Sequence, residues 1–171
     1  MSVLLVGADE ELGGAVVRRL IEQDDEVRVV ENDPSRASLW KSLGAHVARG
    51  DASDPDLVEW AAQHVRTIVL FESGEHTLNA VLQGAAAARA ERLVLCTTAL
   101  SAAAARSVDA KAKDYVVLLV PRGRDRWRRR QRIDRLAEAI DAADDLAGNL
   151  RVVLDLEAAA SWSALGLEGP R

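Results

Sequence analysis

Short apolar, β-branched runs alternate along this chain with longer stretches of helical periodicity, and that alternation predicts its architecture. Seven runs read as strands: "SVLLVG" (2–7), "EVRVVE" (26–31), "AHVAR" (45–49), "RTIVLF" (66–71), "RLVLCT" (92–97), "DYVVLLV" (114–120) and "LRVVLDL" (150–156). Helical patterns lie between them near 11–23, 34–43, 54–64, 75–90, 100–112 and 131–146. Strands that are apolar nearly throughout are buried on both faces, which points to a parallel sheet with helices on either side. Right-handed crossovers then predict a single doubly wound, mainly parallel α/β domain over residues 1–156. The remaining tail, 157–171, reads as a short helix with Trp162 and Leu165 facing the body of the domain or a partner.

Two helix starts are written into the chain. Asp33-Pro34 and Asp54-Pro55 each place a carboxylate acceptor before a proline that is already suited to a first helical turn. No internal repeat and no interdomain linker interrupt the pattern. A length of 171 residues, with 49% hydrophobic and 29% charged residues, suits one globular domain with a substantial core.

Charge and cysteine content narrow the setting. A formal net charge of −5 argues against a general nucleic-acid binder. The single cysteine, Cys96, excludes an intramolecular disulfide and suits a reducing compartment. No Cys/His cluster calls for a metal. No run approaches the roughly 20 apolar residues of a membrane span, and the N-terminus lacks a leader-like pattern. The expectation is a cytoplasmic protein.

The candidate chemistry begins at "GADEELGG", residues 7–14, between the first strand and the first helix. A strand, a tight turn and a helix N-terminus form the unit that receives a diphosphate. Gly7 permits the sharp turn, and Gly13 or Gly14 lets the helix approach the sheet. The candidate cofactor contacts in the turn are Gly7, Glu11, Leu12 and Gly13. Glu10 stands at the middle position, where glycine would let backbone approach the phosphates. Acids here can themselves take the helix N-terminus, and they repel a diphosphate. The turn therefore reads either as a binding site or as a self-capped helix.

Further along, Glu31 closes the second strand where an acid can bond a ribose diol, which favours NAD over NADP; Arg36 nearby works against that preference. Asp51, with Ala52 beside it, follows the third strand and can accept from an adenine amino group, or it can be an ordinary turn residue. Seven arginines between Arg122 and Arg132, with Trp127 among them, form a segment suited to an anionic partner, an acidic surface or a second subunit, or else a solvated loop. His76, near Glu72 and Glu75, is the histidine placed at the ligand-binding edge of the sheet.

Taken together, "GADEELG", "GDASDPDLVEW", "ERLVLCTTALS", "DYVVLLVPRG" and "RIDRLAEAIDAADDLAGNLRVVLDL" resemble the atypical short-chain dehydrogenase/reductase group, the NmrA-like NAD(P)-binding proteins of Rossmann-like fold. The family's opening loop is of the type G-A-T-G-x-x-G, with Asp9 and Glu10 replacing its threonine and middle glycine. The resemblance implies dinucleotide-binding ancestry, with NAD or NADP as cofactor or with none retained. Its active members carry a Tyr-x-x-x-Lys pair. Here Tyr115 is the single tyrosine and Leu119 stands four residues on, so the weak catalytic candidates are Thr98 and Lys111. The reading is a non-catalytic binding or regulatory module, with an oxidoreductase or epimerase of altered site as the alternative. A third reading is the NAD-sensing regulatory domain of potassium transport systems, to which "GDASDP" is also similar.

Overall fold

The computed structural model describes residues 2–71, 74–120, 129–148 and 150–168. In chain order the elements are β1 (Ser2–Val6), α1 (Leu12–Glu22), β2 (Glu26–Glu31), α2 (Pro34–Ser42), β3 (His46–Arg49), α3 (Pro55–Ala61) and β4 (Thr67–Phe71). There follow α4 (Glu75–Ala88), β5 (Arg92–Thr97), α5 (Ala102–Lys111), β6 (Tyr115–Leu119), α6 (Arg129–Asp145), β7 (Arg151–Asp155) and α7 (Ala159–Ala164). The seven strands form one sheet in the order β3-β2-β1-β4-β5-β6-β7, every neighbouring pair parallel. This is the doubly wound, Rossmann-like arrangement that the alternating pattern predicts.

Strand pleat divides the core in two. Val3 and Leu5 of β1 join one cluster while Leu4 and Val6 join the other. On the first face lie Val16, Val17 and Leu20 of α1, Trp40 of α2, Ile140 of α6 and Trp162 of α7. The second face holds Val58 of α3, Val81 and Leu82 of α4, and Val108 of α5. Successive side chains of a strand point to opposite faces, so a continuous apolar run is what a sheet covered on both sides requires.

Local chemistry sets the helix starts. The Asp33 carboxylate accepts from the backbone N–H groups of Ser35 and Arg36, and that of Asp54 from those of Asp56 and Leu57, each with proline in the first turn. Where α4 crosses α3, a Cβ on Gly84 would lie 2.8 Å from Glu59 N and Val58 Cβ, so only glycine permits that approach. In the tail, the Trp162 indole donates to the Leu156 carbonyl at 2.9 Å, and the Arg135 guanidinium stacks over its ring. Trp162 and Leu165 thus face the body of the domain, where both are buried.

Candidate cofactor site

Strand order reverses between β1 and β4, because the chain leaves β1 toward β2 and returns to place β4 on its other side. In such sheets the crevice at the carboxyl ends of those strands receives ligands. Gly7 lies there with φ +72°, a left-handed conformation that glycine adopts without strain. A Cβ on Gly7 would stand 3.3 Å from the Phe71 carbonyl oxygen at the end of β4. Gly13 is tighter still: a Cβ there would meet Ala8 Cβ at 2.6 Å and Trp40 Cη2 at 3.2 Å. Both glycines therefore meet the steric demands of a tight turn from β1 into α1.

The charges at this turn are arranged differently. Leu12 N–H donates to Asp9 Oδ1 at 2.6 Å, so a side-chain carboxylate takes a donor at the N-terminus of α1. Glu10 and Glu11 are exposed beside it. A helix N-terminus carries free N–H groups and the positive end of the macrodipole, which favour an anion of either origin. A diphosphate at this helix end would require Asp9 to release Leu12, at a cost of about 1 kcal/mol for one exposed hydrogen bond.

Glu31 is buried rather than offered to a ribose. Its Oε1 accepts from the Asp33 N–H at 3.0 Å, and its Oε2 accepts from the Trp40 indole N–H at 3.1 Å. Arg36 Nε lies 3.2 Å from that second oxygen, and the same guanidinium donates to the Ala8 carbonyl. Glu31 thereby ties together the end of β2, helix α2 and, through Arg36, the glycine turn. The ribose corner presents a half-buried guanidinium beside a satisfied carboxylate. Trp40 was not a candidate in the sequence; a fully buried tryptophan within a largely polar nine-residue helix is the signal that marks it.

Asp51 is exposed after β3, with Ala52 half-buried. Hydrogen bonds from the backbone and hydroxyl of Ser53, aided by the charge of His76, hold the Asp51 carboxyl below its usual 3.8. His76 is thus electrostatically joined to Asp51; Glu72, its expected acid partner, lies outside the described residues. The arginine-rich segment is likewise outside them, except for the backbone from Arg129 onward, which begins α6.

Gly7, Leu12, Gly13, Glu31 and Arg36 come together around one turn, but the catalytic candidates do not assemble. Thr98 follows β5 at the carboxyl edge, where the neighbouring Thr97 hydroxyl donates to the Ala99 carbonyl. Lys111 is in the last turn of α5, near where β6 begins, and its ammonium donates to Asn79 Oδ1 at 3.1 Å. Tyr115 opens β6 at the far end of the strands from Gly7, and its hydroxyl donates to Asp109 at 3.0 Å. Burial and Asp109 push the phenol above its usual 10.0, against the direction an acid/base tyrosine requires. Cys96, buried in β5, is pushed up to about 12 by burial. Among the described residues no cluster of His, Cys, Asp and Glu could hold a metal, and no helix is long and apolar enough to cross a membrane.

This switch-point turn lies inside a match to a family model described as NAD(P)H-binding, which spans residues 7–144. The chain belongs to that family. A segment of 69 residues is 32% identical to the photosystem II assembly factor Ycf39 of Cyanophora paradoxa, covering 40% of this chain and 22% of that protein. In fold the chain is similar to a triphenylmethane reductase from Citrobacter sp., with a TM-score of 0.74, 15% identity, and coverage of 90% of this chain and 68% of that one. It is also similar to ChuY, an anaerobilin reductase from Escherichia coli O157:H7, with a TM-score of 0.67, 17% identity, and coverage of 91% and 96% respectively. The expectation of an atypical short-chain dehydrogenase/reductase agrees with this membership and fold.

Proposed function

We propose that the chain binds a nicotinamide dinucleotide at the β1–α1 turn and acts as a binding or regulatory module, without tyrosine-dependent acid/base catalysis. The carrying observation is the Asp9 carboxylate on Leu12 N–H, 2.6 Å apart at the helix end that a diphosphate would address. Such an internal anion competes with the ligand and raises the dinucleotide concentration at which the site fills. In this reading Gly7 and Gly13 shape the turn, Glu11 and Leu12 border the diphosphate, and Asp51 with Ala52 borders the adenine. The position of the single tyrosine, Tyr115, at the opposite end of the strands supports a binding role.

Cofactor choice follows the ribose corner. A preference for NAD would rest on a free Glu31 carboxylate, but Trp40, Asp33 and Arg36 occupy both of its oxygens. With that charge offset by Arg36, the proposed site accepts a 2′-phosphate as well as a ribose diol. A second reading, hydride transfer by bound NAD(P)H to an electron-poor conjugated acceptor, draws support from the two relatives of like fold named as reductases. It would require an acceptor whose protonation needs no side-chain acid.

Calorimetric titration with NAD, NADH, NADP and NADPH tests the proposal on wild type, Asp9→Thr and Glu10→Gly. Both variants are expected to bind about tenfold more tightly than wild type, corresponding to about 1.4 kcal/mol. Equal affinity in all three proteins would overturn the competing-anion reading. Steady oxidation of NADPH with a triarylmethane or tetrapyrrole acceptor would favour the reductase reading.

A further inference from the structure

Trp40 lies at the ribose corner yet is fully buried, so it offers no atom to a ligand. It belongs to α2, a nine-residue helix in which Ala37 is the other buried side chain. The two rings of its indole make different contacts. Cη2, on the six-membered ring, stands 3.2 Å from where a Cβ on Gly13 would lie, so this ring closes the back of the glycine turn. The N–H, on the five-membered ring, donates to Glu31 Oε2 at 3.1 Å. Glu31 is only 6% exposed, and its Oε1 accepts from the Asp33 N–H. From Glu31 the contacts run on through Arg36 to the Ala8 carbonyl, which returns them to the turn.

We infer that Trp40 is a positioning residue that sets cofactor choice: by holding Glu31 Oε2, it withholds from the ribose the carboxylate that would select NAD. The inference rests on dinucleotide binding at the β1–α1 turn. An acid at the end of the second strand selects NAD when one of its oxygens is free to accept from the ribose 2′-hydroxyl. Here both oxygens already have donors. Turning Glu31 outward to meet a ribose would leave the buried indole N–H without an acceptor, and a buried donor left unpaired forfeits its whole desolvation cost. Arg36, half-buried and 3.2 Å from Oε2, offsets the charge that would otherwise repel a 2′-phosphate. The indole therefore converts an acid placed for NAD selection into an anchor between β2 and α2.

Calorimetric titration of wild type and Trp40→Phe with NAD and NADP tests this. Phenylalanine lacks the N–H, which leaves Glu31 Oε2 free to turn toward the ribose. The smaller ring also loosens the contact with Gly13, which bears on both dinucleotides alike, so the ratio of the two affinities isolates the lost bond. Trp40→Phe should shift that ratio about tenfold toward NAD, and adding Glu31→Gln should return it. An unchanged ratio in Trp40→Phe, or a shift that survives Glu31→Gln, would overturn the inference and leave dinucleotide binding intact. Should Trp40→Phe fold poorly, wild type supplies a second readout. Followed by NMR, the Trp40 indole N–H should keep its slow hydrogen exchange when NAD saturates the protein. Loss of that protection would mean that Glu31 is released to the ribose, and the inference would fall. A wild type that binds neither dinucleotide would overturn the binding proposal itself, and this inference with it.

Discussion

Beside the amino ends of β4 and β5, two arginines are matched with buried acids; at the glycine turn beyond β1, three acids are exposed and share one sign. Arg92, 8% exposed, grips both oxygens of Asp114 at 3.1–3.2 Å and donates to the Ala143, Asp144 and Gly148 carbonyls. Arg66 adds bonds to the Asp144 carbonyl and carboxylate. Two guanidinium groups therefore close the C-terminal end of α6, where the macrodipole is negative and carbonyls lack helical partners. At the opposite edge, Asp9, Glu10 and Glu11 lie at the positive end of α1, and Asp9 bonds the Leu12 N–H there. The first group is held by many bonds at once. In the second, a single exposed hydrogen bond holds Asp9 to the helix end, and it is this bond that the proposed ligand would replace.

The sharpest way to separate the edges is Arg92→Met. It leaves the Asp114 carboxylate buried without its counter-charge and strips donors from the end of α6, which should cost about 3–5 kcal/mol. Urea denaturation reads that loss, while dinucleotide affinity of the still-folded protein should not change. A loss of under about 1 kcal/mol would mean that water replaces the guanidinium easily and that the two edges are energetically alike.

Gly13→Ala attacks the carboxyl edge through shape. The new methyl would have to open the contact between Ala8 and α1, costing about 1–3 kcal/mol as overpacking does. Because that contact also shapes the turn, dinucleotide affinity should fall together with stability, unlike the Arg92 case. Unchanged affinity would detach the glycine turn from ligand binding.

The smallest effect is a titration. Asp51 has its carboxyl held low chiefly by Ser53, so its folded value lies below the unfolded one of about 3.8. The sign follows: any stability it contributes is present above pH 3.8 and is lost as pH falls through the lower, folded value. Ser53→Ala keeps the backbone donor and removes the hydroxyl, so the Asp51 midpoint followed by NMR should move upward. No movement would assign the depression to the backbone and His76 alone.

Much of this molecule was legible in the sequence for one physical reason: strands covered on both faces must be apolar at nearly every position. The runs from "SVLLV" to "RVVLD" therefore gave their type and order away, and Asp33-Pro34 and Asp54-Pro55 did the same for two helix starts. Gly7, with its positive φ, and Gly13, wedged against Ala8 and Trp40, were readable because few other residues meet those demands. The acids of "GADEELGG" could be seen to suit a helix N-terminus, since charge there acts over a few residues, and Asp9 does accept from the Leu12 N–H. What lay beyond local reading was each side chain's distant partner. Glu31 looked free to meet a ribose until folding brought Trp40 and Arg36 to it, and Lys111 looked available until α5 carried it toward the start of β6. The Arg66–Arg92 closure of α6 joins residues 51 to 78 positions apart, a separation at which no sequence period can signal contact. Periodicity and backbone demands belong to the chain itself; the pairing of buried charges belongs to the packed fold, because only packing decides which charge is left beside which.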